Sequence, residues 1–279
     1  TISFTKNINL YNNLPRYTFL KSRFSYFLIS LISVIKLYKF LSTKKETDYI
    51  ILHLITSLPL ILLLFFNFKC KFVLRISGFP KLTILRKFLW KLSSKKLHKV
   101  STPTKDTMKM LINQNIFQSN MICLVRDPII NISKVNLKIR EKIFENLDDT
   151  KYIINVGRLT KQKNQEFLID GFKILKEKFQ NLKLIILGEG ELKTKLINKS
   201  KKMNLQNDIK FLGFKDNVYK YYKRSICFTL TSAWEDPGFV LIEAAASKIP
   251  IISSDCKNGP KEFIKSNDNG YLYKNYDLN

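Results

Sequence analysis

The sequence predicts an α/β fold made of two Rossmann-like parallel-sheet domains. Three observations carry that reading. Short β-branched runs alternate with amphipathic stretches at a spacing of about 20 to 30 residues, the signature of strand–helix–strand units. Just 9 Gly and 8 Pro interrupt a chain that is 45% hydrophobic, which excludes disordered, collagen-like and linker classes. A length of 279 residues exceeds one average domain, so two cores are expected.

In the second half, strands are expected at Tyr152 to Val156, Lys183 to Leu187, Ile209 to Leu212, Ile226 to Leu230 and Ile249 to Ser253. Between the first two, Phe167, Leu168, Phe172 and Leu175 recur at helical spacing; between the next two, Leu192, Leu196 and Ile197 do so. Right-handed crossovers then give a doubly wound sheet with ligands at the carboxyl ends of its strands. The first half repeats the pattern more loosely, with strands at Tyr49 to His53, Lys71 to Ile76, His98 to Ser101 and Met121 to Val125. Arg126 to Lys138 contains Pro128 and lacks clear periodicity, so the domain join is placed there, giving residues 1–130 and 131–279. Two such sheets facing each other would leave a cleft for a small ligand.

Two apolar segments raise the question of a membrane. Tyr49 to Phe66 runs 18 residues without a formal charge, near the lower limit for a span. His53, Thr56, Ser57 and Pro59 cut it, and a buried strand, a turn and a helix starting near Pro59 fit better. Phe24 to Leu41 carries Lys36 and Lys39 and suits a core or membrane-facing amphipathic helix. No basic, apolar, small-residue leader opens the sequence.

The formal net charge of +26 is unevenly divided. Residues 1–136 hold 22 Lys/Arg against 4 Asp/Glu, and residues 137–279 hold 26 against 18. A basic half attracts polyanions, among them nucleic acid, phosphorylated glycans and an anionic leaflet. Just 8 of the 48 cations are Arg, whereas planar phosphate or base recognition favours Arg. Four isolated cysteines, two histidines and the lack of any D-x-D support neither a disulfide scaffold nor a metal site, and suit a reducing cytoplasm.

Two clusters carry chemistry. Gly157-Arg158-Leu159-Thr160-Lys161-Gln162-Lys163-Asn164 follows a strand and precedes a helix, where free N–H groups, the helix dipole and the cations Arg158 and Lys163 suit an anion, although a solvated connecting loop reads the same way. Further on, Glu235 and Glu243 flank a helix start at Pro237-Gly238, and carboxylates accept bidentate bonds from vicinal hydroxyls such as those of ribose and hexoses. An exposed loop acid and a salt-bridged helix face are the plainer readings of these two. Gly188-Glu189-Gly190 lacks the third glycine of a dinucleotide fingerprint.

Taken together, Gly157-Arg158-Leu159 with Gln162-Lys163-Asn164, Leu187-Gly188-Glu189-Gly190, Phe211-Leu212-Gly213, Glu235-x7-Glu243 ahead of Ala244-Ala245-Ala246, Ile249-Pro250-Ile251 and Gly259-Pro260-Lys261-Glu262 resemble family four of the retaining glycosyltransferases, of GT-B fold. The similarity is dense over residues 150–275 and thinner before. It implies that Arg158 and Lys163 bind the diphosphate of a nucleotide-sugar donor. Glu243 holds its ribose, Glu235 with backbone amides near Gly238 and Phe239 holds the donor sugar or its phosphate, and Gly157, Gly188 and Val240 complete the substrate-binding set. It also implies transfer with retention, no metal and no cofactor.

The sequence departs from the family in three places. No Gly-rich loop occurs in Thr1 to Phe19, Arg75-Ile76-Ser77-Gly78 stands where a family histidine is expected, and Asn279 precedes the usual closing helices. Arg75 or Ser77 would act in its place, with a structural pair the equal alternative for Arg75, whereas His53 reads as core or turn. The chain thus reads as truncated at both ends. The expected protein is a cytoplasmic enzyme peripheral on the inner face of the membrane, with a lipid-linked or polysaccharide acceptor and no nucleic acid. The alternatives are an RNA-type polyanion binder and a nucleotide-binding relative without transfer activity.

Overall fold

A computed structural model describes residues 23–53, 56–127, 130–143, 145, 147, 151–235, 237–265 and 268–274, with side chains from residue 33 onward. In chain order the elements are α1 (Arg23–Ser42), β1 (Tyr49–Leu52), α2 (Ser57–Phe65), β2 (Lys71–Arg75), α3 (Ile84–Ser93), β3 (Lys99–Thr102), α4 (Lys105–Asn113), β4 (Ile122–Leu124) and α5 (Ile132–Ile139). They continue as β5 (Tyr152–Val156), α6 (Gln165–Lys178), β6 (Lys183–Leu187), α7 (Lys193–Lys202), β7 (Ile209–Gly213), α8 (Tyr219–Arg224), β8 (Phe228–Leu230), α9 (Phe239–Ala246), β9 (Ile251–Ser254), α10 (Pro260–Phe263) and β10 (Tyr271–Tyr273). The chain divides into two compact units. One holds the described residues up to Thr102 together with Met108–Leu124; the other holds Pro103–Thr107 and the chain from Val125.

The first unit is a four-stranded sheet in the order β1-β2-β3-β4, every pair parallel. Its core gathers Leu52, Leu60, Leu63, Phe72, Leu74, Trp90 and Val100. The long apolar run resolves into β1 and the nine-residue α2, which at roughly 1.5 Å per residue is far too short for a bilayer. Among the described residues, no helix is long and apolar enough to cross a membrane. In α1, Leu41 is buried and Val34, Leu37 and Phe40 pack on the same core, so the described half of that helix takes the core alternative.

The second unit is a six-stranded sheet in the order β10-β9-β8-β5-β6-β7, also parallel throughout. All five residues of β5 are buried, as expected of a central strand covered on both faces. Tyr152, Ile154 and Val156 face one core with Tyr221, Tyr222 and Leu241, while Ile153 faces another with Leu168, Phe172 and Leu196. Helices therefore cover both faces, as in a doubly wound sheet. The strand order reverses between β5 and β8, the switch point at which open α/β sheets leave a crevice outside the carboxyl ends of their strands.

Three local expectations need correction. The last two core strands start later than expected: Pro250 has no amide hydrogen to enter the ladder, so β9 starts at Ile251, and β8 starts opposite it at Phe228. The supposedly aperiodic Arg126 to Lys138 contains most of α5, whose cap Asn131 accepts from the Lys134 amide at 3.1 Å and whose Val135 is buried. The edge strand β10 has just three residues and is held by pairing to β9, a long-range interaction without a local pattern.

Candidate active site

A cavity of about 650 Å³ opens at the reversal point of the second sheet. Val156 at the end of β5 lines it with Gly157, Arg158 and Lys163 beyond, Leu187 at the end of β6 with Gly188 beyond, and Lys215 after β7. Glu235, Gly238, Phe239 and Val240 close it where β8 passes into α9. All of these belong to one unit.

The two loops meeting here are stitched together. Gln162 Nε2 donates to the Trp234 carbonyl at 3.1 Å, the Ala233 amide to the Gln162 carbonyl at 2.8 Å, and Thr231 Oγ1 to the Lys163 carbonyl at 3.0 Å. Gln165, buried at the start of α6, donates through Nε2 to the Arg158 carbonyl at 3.1 Å. These bonds fix where Lys163 points. Its ammonium donates to both oxygens of Glu235, at 2.6 and 2.8 Å, and Ser232 Oγ donates to Oε1. The Glu235 side chain is 2% exposed and that of Lys163 13%. Glu235 is therefore not an exposed loop acid: it is a buried carboxylate with a fixed counter-charge. Arg158 is exposed on the cavity wall.

Backbone geometry explains three glycines. A Cβ on Gly188 would stand 2.0 Å from the Gly157 carbonyl oxygen, at a φ of +136°, so only glycine lets these loops touch. The Gly157 amide donates to the Leu187 carbonyl and the Leu159 amide to the Glu189 carbonyl, at 3.0 and 2.9 Å. Gly188 and its neighbour Gly190 thus serve loop-to-loop packing rather than a dinucleotide fingerprint. Gly238, at φ +85°, turns the chain into α9, whose first amides have no helical acceptor and lie beside Phe239 and Val240 at the cavity.

The remaining expected residues fall elsewhere. Glu243 lies on α9 outside the cavity lining, half-buried near Tyr219, Tyr222 and Lys138; burial pushes its carboxyl up, and Lys138 partly offsets this. Arg75 and Ser77 belong to the first unit, Arg75 buried at the end of β2. His53, exposed after β1, is not a core residue: its Nε2 lies 3.0 Å from Ser77 Oγ.

Sequence reasoning missed Thr231, which ties the end of β8 to the Lys163 carbonyl, and Asn258, which reaches Glu235 from 23 residues further along the chain. Asn258 Nδ2 donates to the Glu235 carbonyl at 3.1 Å, and its Oδ1 accepts from Thr104 and from Thr107, the latter at 3.1 Å. Neither residue had a spacing signal. Cys256 lies near the Lys163–Glu235 pair, where burial pushes its thiol up to about 11, so it is protonated at neutral pH. Among the described residues, no three His, Cys, Asp or Glu gather as metal ligands.

A doubly wound sheet presenting cations and a helix N-terminus at its reversal point defines an anion-binding α/β domain. The chain belongs to the glycosyl transferases of group 1, whose family pattern matches residues 138–279, over half its length. That assignment agrees with the GT-B retaining family indicated by its motifs.

An uncharacterised glycosyltransferase of Methanocaldococcus jannaschii is 49% identical over 125 residues, 44% of this chain and 31% of that protein. The N-acetylgalactosamine-N,N'-diacetylbacillosaminyl-diphospho-undecaprenol 4-alpha-N-acetylgalactosaminyltransferase of Campylobacter jejuni is 34% identical over 190 residues, 68% of this chain and 50% of the relative. Among solved structures, a Staphylococcus aureus TarM variant in complex with UDP superposes with a TM-score of 0.72 at 22% identity, covering 90% of this chain and 50% of that one. The chain thus spans half or less of these relatives.

Proposed function

We propose that the protein transfers a sugar, with retention and without a metal, from a nucleoside diphosphate donor to a lipid-linked or polysaccharide acceptor. The observation that carries this reading is the convergence of Arg158, the Lys163–Glu235 pair and the α9 amides on one cavity at the sheet's reversal point. The Campylobacter relative is named for a diphospho-undecaprenol-linked acceptor, and the TarM structure holds UDP, which supports this substrate class.

In this reading Arg158 and Lys163 take the diphosphate. Because the leaving diphosphate gains negative charge as the glycosidic bond breaks, preplaced cations and helix amides favour the transition state over the ground state. Glu235 holds Lys163 in position and faces the donor sugar. Gly157 and Gly188 allow close approach of the backbone, and Glu243 takes the ribose hydroxyls from beside Val240. Arg75 and the Ser77–His53 pair are assigned to the acceptor side. The working location is the cytoplasmic face of a membrane, approached through the basic first half.

Calorimetric titration with UDP tests the donor site. Arg158→Ala is expected to weaken binding by about 10- to 100-fold, the range for one charge-assisted contact, while leaving the melting temperature unchanged. Glu243→Ala should weaken UDP but not pyrophosphate. Unchanged UDP affinity in both variants would refute the assignment, and transfer from a labelled donor separates an enzyme from a binding relative.

A further inference from the structure

The stretch from residue 49 to 105 contains no Asp or Glu. Within it, α3 starts at Thr83, whose Oγ1 accepts from the Arg86 amide at 3.3 Å, and buries Trp90 against Phe117. Among the described residues, the opposite face has no cover. Ile84 is 87% exposed, Leu85 81%, Phe88 63% and Leu92 46%. At about 100° per residue these four fall within a single arc of roughly 100°, a continuous apolar stripe aimed at solvent. Single exposed apolar residues are ordinary, but a contiguous stripe marks a surface that meets something.

The charges around the stripe identify the occupant. Arg86 Nη1 donates to the Lys81 carbonyl at 2.7 Å, and Lys87 Nζ to Gln114 Oε1 at 2.6 Å. Both partners are neutral, so neither cation is compensated. Lys91 and Lys95 add further positive charge along the helix and just past its end. A second copy docking through this face would bring cations against cations, with no acid from 49 to 105 to offset them. An apolar stripe rimmed by unneutralised cations instead matches the boundary between acyl chains and anionic headgroups.

We infer that α3 is the element that seats this protein on an anionic lipid surface, with Ile84, Leu85, Phe88 and Leu92 entering the acyl boundary and the flanking cations meeting lipid phosphates. The inference deepens the membrane part of the proposed function and moves it from Phe24 to Leu41, whose described half packs on the core.

The test is co-sedimentation of the full chain with vesicles of phosphatidylglycerol mixed with phosphatidylcholine, and with phosphatidylcholine alone. UDP affinity and melting temperature are followed in parallel. The chain should bind the anionic vesicles and release as salt rises from about 0.1 to 0.5 M. The double variant Leu85→Ser/Phe88→Ser should lower partitioning at least about tenfold, and Lys91→Gln/Lys95→Gln several-fold, with UDP affinity unchanged. Ile174→Ser, an exposed apolar position in the second unit, should leave partitioning unchanged. Equal partitioning of the Leu85/Phe88 variant and the parent would overturn the role of α3 while leaving membrane attachment intact. No vesicle binding by a parent chain that still binds UDP would overturn both membrane claims but not the donor site. Loss of a dimer in that variant, seen by light scattering without lipid, would overturn the inference in favour of self-association.

Discussion

The two units use their positive charge in opposite ways. In the second, lysines meet acids: Lys163 meets Glu235, Lys176 and Lys183 meet Asp208, Lys199 meets Asp170, and Lys215 meets Glu145, all within 2.5 to 2.8 Å. In the first unit, the sequence offers two acids, Glu46 and Asp48, to 19 Lys/Arg, and the lysines of α3 and its surroundings bond to carbonyls and an amide instead. Paired charge fixes geometry locally, whereas unpaired charge projects a field into solvent. The same residue type therefore builds a defined site in one unit and an attractive surface in the other.

The sharpest way to probe the ordered unit is at its loop junction. Gly188→Ala places a methyl group on the Gly157 carbonyl at a left-handed φ, and is expected to cost about 3 kcal/mol or more in urea unfolding. Next in size is the buried pair. Glu235→Gln leaves the Lys163 ammonium, 13% exposed, without its counter-charge, and should cost about 2 to 3 kcal/mol. Lys163→Met added to Glu235→Gln should recover part of that loss, a coupling read from the double-mutant cycle. By contrast, Lys91→Gln in α3 should move stability by less than about 0.5 kcal/mol. A Glu235→Gln variant as stable as the parent would remove the distinction between the units.

The same contrast explains what was legible in the sequence. Both β5 and β6 are legible because each is an apolar run but for one residue, Asn155 in β5 and Lys183 in β6, in a sheet covered on both faces, so local hydrophobicity and tertiary burial agree. The short edge strand β10 was not, because its order comes from β9 rather than from its own residues. Arg158, Lys163 and Glu235 were identified as a set by motif, yet the bidentate Lys163–Glu235 bond was not foreseen, since it depends on Gln162, Thr231 and Ser232 stitching two distant loops. The outward stripe of α3 was equally hidden. Periodicity reveals that a helix has an apolar face, but not which of its faces meets the core.

A further contrast separates the units by acid. Glu145 accepts from Lys215 Nζ at 2.5 Å and from the Tyr221 hydroxyl at 2.9 and 2.8 Å. Burial alone would raise its carboxyl, but the bonds from Lys215, the backbone and Tyr221, with the charge of Lys215, outweigh this and bring it down to about 2. A carboxylate held below its unfolded value stabilises the fold fully above that value, near 4.3, and loses the contribution as pH falls towards 2. With both side chains about a quarter exposed, the contribution is on the order of 1 kcal/mol after screening. Hydrogen exchange corrected for intrinsic rates should therefore show amides of β5 and β8 opening between about pH 4.3 and 2. Those of β2 and β3, in a unit with few carboxylates to protonate, should change less. Glu145→Gln should flatten the response of the second unit in that window, and an unchanged slope would assign its acid sensitivity to the other pairs, with Asp208 and its two lysines next in line.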